Sequence, residues 1–197
     1  MITKEGAMFQ NFTAQDWKIF FGNMLMLVTC LCYISWWTTA FRPGKSDSGI
    51  ASVLIIATLA AGTAAIVVLS MGINGLNGCR VKIPVCYLVA AAAVLYVISF
   101  TITKTVFRRP VTSELLIIFV WAAIEFAVLD VLFSNGRLSG RAALVQSVLI
   151  ATATCIGLVC YVLYYRLDES ARYLDGLIPL ASDGFVIAVS LTAEAIA

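Results

Sequence analysis

The stretch WAAIEFAVLDVLF, residues 121–133, sets Glu125 and Asp130 in an otherwise apolar run, and two further acids, Asp183 and Glu194, stand in the apolar tail 176–197. A carboxylate removed from water resolves its charge in one of three ways. It holds a proton, it binds a cation, or it lines a wet cavity. The first two describe a proton or cation site, the third a solute pathway. No Lys or Arg lies at the middle of any apolar run; Lys104, close to the end of the third run, comes nearest. This imbalance of buried acids over buried bases is the most informative feature of the chain.

Glu125 is the eleventh residue of the nineteen-residue run 115–133, which puts it near mid-depth if the run crosses a membrane. On the lipid side, its charge would cost at least about 2.5–3.5 kcal/mol, so it is expected to face other helices. Asp130, five residues on, is rotated roughly 140° from it and is not its side-by-side partner. Asp130 shares a face with Ser134 and Arg137, and a snorkelling arginine beside an interfacial acid is one reading of it. Polar residues in other runs are candidates to complete a site: Asn23 in the first, Tyr96, Ser99 and Thr103 in the third, Gln146 and Ser147 in the fifth. Against this stands a purely structural use, an interhelical hydrogen bond worth about 0.6 kcal/mol on average.

The elements that must position these residues follow from composition. Of 197 residues, 61% are hydrophobic and 12% charged, with 13 basic and 11 acidic side chains. A soluble domain is roughly 45–50% apolar and about 25% charged. The mean hydropathy of +0.98 points the same way. The expected class is all-α: a polytopic integral membrane helix bundle, a multi-pass protein in a single transmembrane domain, residues 1–197.

Residues 1–17 form an interfacial segment in which Thr13 and Asp16 read as a helix cap and a first-turn acid. Six spans are expected near 19–41, 49–71, 84–107, 115–133, 142–165 and 176–197, each near the length that crosses a hydrocarbon core of roughly 30 Å. Trp36 and Trp37 read as an interfacial belt. The rows Ala57, Ala61, Ala65 and Ala60, Ala64 are spaced for close helix contact. GINGLNG at 72–78 and SNGRLSG at 134–140 read as tight turns, their Asn-Gly steps supplying positive φ. The tail is interrupted by Pro179, Asp183, Gly184 and Glu194. On a helix, Asp183, Ile187, Ser190 and Glu194 form one stripe, so the tail is either a sixth span with that stripe inward or a helix lying on the membrane surface.

Much is excluded. Histidine is absent, which removes His-ligated haem and zinc, and no Cys-x-x-Cys occurs, so no metal site and no cofactor is expected. Five of the six cysteines lie in apolar runs and are expected as small apolar residues. The Asn-Phe-Thr at Asn11 is a weak glycosylation match, and no cleavable leader is expected from the mixed first fifteen residues. With alternating spans, six basic residues fall on one side and seven on the other, so charge bias sets no orientation. The net charge of +2 in short clusters argues for lipid headgroups and against nucleic acid.

The functional expectation is a small transporter or transporter subunit for a small solute or ion, proton- or cation-coupled through Glu125, with Asp183, Asp130, Glu194, Asn23 and Gln146 as further binding candidates. A transporter this short suits a homodimer or a larger membrane complex. Two alternatives stand beside it: a membrane-embedded enzyme on a lipid or lipid-linked substrate, its carboxylates acting as general acid and base, and a non-catalytic assembly subunit.

Overall fold

A computed structural model of the chain describes residues 12–42, 48–75, 85–106 and 113–196. They form six α-helices: α1 (Ala14–Ala40), α2 (Ser48–Gly75), α3 (Val85–Thr105), α4 (Ser113–Ser134), α5 (Gly140–Leu163) and α6 (Glu169–Ile196). Helix is the form these sequences must take in hydrocarbon, because every backbone donor and acceptor is then satisfied within its own segment. Among the described residues, five helices (α1, α2, α4, α5, α6) are long and apolar enough to cross a membrane. The sixth, α3, is 21 residues long. The protein is an all-α membrane helix bundle.

Local signals set the helix ends. Thr13 and Asp16 make a reciprocal capping box: the Asp16 amide donates to Thr13 Oγ1 at 3.3 Å, and the Thr13 amide donates to Asp16 Oδ2 at 2.7 Å. Ser139 caps α5 by accepting from the Ala142 amide at 3.2 Å. Between them, α4 ends in a Schellman turn, with Gly136 at φ 71° and the Arg137 amide donating to Leu132 O at 2.9 Å. The turn expected at SNGRLSG is therefore present, and its glycine occupies the left-handed conformation.

GINGLNG behaves differently. Gly72 to Gly75 continue α2 as helix, and the rest of the motif lies outside the described residues. Those glycines serve packing: a Cβ on Gly72 would meet Ile19 at 2.8 Å, and one on Gly75 would collide with Gln15. Gly22 is pressed equally close to Leu69, so α1 and α2 run antiparallel with their backbones near contact. Of the alanine rows on α2, Ala65 is fully buried, whereas Ala60 and Ala64 are exposed and line an open apolar groove with Leu59 and Val67.

Helix neighbours close a ring. α1 packs on α2 and α6, α5 on α6 and α4, and α2 touches α4, while α3 packs on α4 from outside. Outward positions on the ring are bare apolar side chains, such as Val53, Leu144 and Phe185. They form the surface a lipid bilayer would cover. The tail begins its helix at Glu169, seven residues before the expected span, and carries Pro179 within it. It packs against α1 and α5 along its length, which is the inserted arrangement expected of a sixth span.

Candidate functional site

Antiparallel packing of α1 and α6 defines the two ends of the bundle. At one end Asp16, Arg137 and Glu194 line a common small cavity. At the other, Trp37 Nε1 donates to Tyr173 O at 3.1 Å. Aromatic clusters mark both ends: Trp17, Phe20 and Phe21 at the first, Trp36, Phe41, Tyr164 and Tyr165 at the second. Trp37 departs from the belt expected of it. It is 6% exposed and faces inward.

Within the ring, four helices deliver polar side chains to one buried place. α1 contributes Asn23 (0% exposed), α4 Glu125 (2%), α5 Gln146 (5%), and α6 Ser190 (8%) and Glu194 (5%). Asn23 Nδ2 donates to Glu194 Oε1 at 2.5 Å. Gln146 Nε2 donates to Ser190 Oγ and, at 3.4 Å, to Val186 O. Glu125, Gln146, Ser190 and Glu194 line a cavity of about 10 Å³, on the order of the space one water needs. Glu125 sits twelve residues from the start of α4 and nine from its end, roughly 18 and 14 Å along the axis. Glu194 lies near the end of α6. Its side chain points back toward the helix N-terminus, as helical side chains do, and so reaches inward to Asn23 and Glu125's cavity.

The electrostatics of this place are one-sided. Among the described residues, Glu125 Oε1, Glu194 Oε2 and Asn23 Oδ1 are buried acceptors with no hydrogen-bond donor. No basic side chain lines the cavity. The nearby basic residue Arg137 forms a 2.5 Å ion pair with Asp16, itself 5% exposed, across 121 residues of sequence. Glu194 lines both this ion-paired cavity and the Glu125 cavity, and so links the bundle end to the buried pair.

Comparison of the chain with protein-family models, with curated proteins and with solved structures finds no match.

The structure brings Glu125, Glu194, Asn23 and Gln146 together and separates the other candidates from them. Asp183 is half-buried and lines a different cavity, toward the opposite end, with Asp175 and Glu114. Asp130 is half-buried and lines neither. Tyr96 packs edge-on to Phe119 in a side cluster of α3, α4 and α5, and Ser147 donates to Ala143 O in its own helix. Thr103 is buried on α3, outside the ring.

Sequence reasoning did not single out Asp16 as more than a cap, nor Glu114, Asp175, Tyr33, Tyr161 and Tyr164 as cavity walls. For Asp175 a signal existed: it stands eight residues before Asp183 on the same helical stripe. For the tyrosines none did, since an aromatic in an apolar span reads as packing.

Proposed function

We propose that this chain is a small membrane transporter or transporter subunit in which Glu125 and Glu194 form the site that takes up and releases a proton or a small cation. The observation that carries the reading is the meeting of two carboxyl groups from α4 and α6 in one closed, base-free cavity with amide and hydroxyl partners. Two carboxylates cannot both stay ionised in such a place without a compensating positive charge. A proton or a bound cation supplies it. Asn23 holds Glu194 from α1, and Gln146 and Ser190 tie α5 to α6, so changes in charge at the pair act on four helices at once.

The polar route supports passage in stages. Asp16, Arg137 and Glu194 stand at one end, Glu125 in the interior, and Asp183 with Asp175 toward the other end, with Glu194 reaching inward to the Glu125 cavity. Asp175 to Glu194 is nineteen residues of α6, roughly 28 Å, close to the thickness of a hydrocarbon core. The size of the central cavity favours an ion over a lipid substrate: about 10 Å³ admits no headgroup.

The test is ion flux in sealed proteoliposomes carrying an entrapped pH dye, with the gradient imposed from either side. Wild-type protein should move protons or a monovalent cation down an imposed gradient, and Glu125→Gln and Glu194→Gln should each reduce the rate to that of empty vesicles. Wild-type flux at the background level, or an undiminished rate in Glu125→Gln, overturns the reading.

A further inference from the structure

The second cavity, of about 100 Å³, is an order of magnitude larger than the one around Glu125 and has a different chemistry. Four rings, of Tyr33, Trp37, Tyr161 and Tyr164, stand in its wall. Three carboxylates join them, Glu114 from α4 and Asp175 and Asp183 from α6, and no basic side chain lines it. The rest of the lining is apolar, including Ile117, Ile118, Pro179 and Leu180. An aromatic and carboxylate wall with an apolar floor is the composition that recognises an organic cation, whose charge is spread over alkyl groups and meets ring faces favourably.

Three further observations bear on what enters. Among the described residues no three Asp, Glu, Cys or His groups stand close enough to hold a metal ion, which argues against a compact divalent ligand. The Arg172 guanidinium already lies 5.6 Å over the Tyr164 ring centroid, so this wall accepts a delocalised cation. That arginine donates to Tyr164 O at 3.2 Å and Leu167 O at 3.0 Å, which holds it beside the cavity rather than in it. Third, the shape depends on a missing side chain: a Cβ on Gly176 would collide with the Trp37 ring, so the glycine lets that ring form the wall.

We infer that the cavity bounded by Tyr33, Trp37, Tyr161, Tyr164 and Asp183 is a binding seat for a small organic monocation of the amine or quaternary ammonium class. As the cargo of a transporter this ligand rests on the transport reading above, whereas its binding is measurable without any flux. The volume suits a group of about five heavy atoms; a cavity of about 150 Å³ is enough for benzene. Tetramethylammonium is the matching probe.

Equilibrium dialysis of radiolabelled tetramethylammonium against the full chain in lipid nanodiscs tests it. Saturable binding is expected, with neopentyl alcohol, a neutral analogue of similar size, unable to compete. Asp183→Asn should weaken binding at least tenfold. Tyr33→Phe, which keeps the ring, should bind as wild type, and Tyr33→Leu should lose about 2- to 30-fold. Absence of saturable binding to monodisperse wild-type protein overturns the assignment, as does equal competition by the neutral analogue or unchanged affinity in both Asp183→Asn and Tyr33→Leu. Glu125→Gln should still bind the probe. Lost flux in that variant beside a wild-type chain that binds no probe would sink the seat and spare the ion site; intact flux beside normal binding would do the reverse.

Discussion

Replacing Glu125 by Gln separates a working site from a helix-to-helix tie, because the two readings give opposite signs for stability. Glu125 is 2% exposed, near the middle of α4, and its Oε1 has no donor among the described residues. A charged acid at mid-depth costs at least about 2.5–3.5 kcal/mol. Only one carboxyl of the pair stays ionised in this base-free cavity, and glutamine, close in shape to a neutral glutamate, leaves that one charge on Glu194. It also places an N–H₂ donor beside Glu194, whose Oε2 lacks one, and a hydrogen bond to a charged acceptor contributes about 1.5–3 kcal/mol. Part of this gain is lost to rearrangement of the small cavity, so a net stabilisation of about 1–2 kcal/mol is expected.

At about 2–4 °C per kcal/mol for a chain of this size, the variant should melt several degrees above wild type in detergent. Heating followed by size-exclusion chromatography reads this directly. A variant that melts several degrees below wild type at neutral pH would refute the reasoning: Glu125 would then be a satisfied tie between helices, and the assembly-subunit reading would gain.

Two further outcomes check the packing on which the sites depend. Gly176→Ala should destabilise by about 1–3 kcal/mol, because the added methyl collides with a Trp37 ring held by its bond to Tyr173 O, while Gly140→Ala, whose methyl would meet the Phe133 ring at an ordinary 4.0 Å, should stay within about 0.5 kcal/mol of wild type in the same thermal assay. A double-mutant cycle with Asp16→Asn and Arg137→Gln should give a coupling of about 1–2 kcal/mol, above that of an exposed pair because Asp16 is buried; coupling below about 0.3 kcal/mol would show that the end of the bundle is not closed by this contact.

Local physics was legible along the chain. Thr13 and Asp16 are three residues apart, and their reciprocal bonds need nothing beyond one helical turn. Gly136 follows Asn135 at a helix end and takes the left-handed φ there. Hydrophobic length alone dictated helices through the apolar runs, because lipid offers the backbone no other partner. The inward stripe on α6 was equally readable: Ile187, Ser190 and Glu194 are all buried. Where packing overrules local preference, the reading failed. The first glycines of GINGLNG have the composition of a turn but stay helical, since the approach of α1 to α2 demands side chains no larger than hydrogen.

Which acids meet was not legible, for a physical reason. The face that Glu125 shows is known from α4, but its neighbour depends on the rotation and order of helices far away in sequence. The ring of α1, α2, α4, α5 and α6 joins Glu125 to Glu194 and Gln146 to Ser190, and sends Asp183 to a different cavity. Arg137, seven residues from Asp130 on the same face, reaches across to Asp16 on α1. Spacing along one chain tells which side chains must leave the lipid. Close packing among several helices, summed over contacts each worth a fraction of a kcal/mol, selects the company they keep.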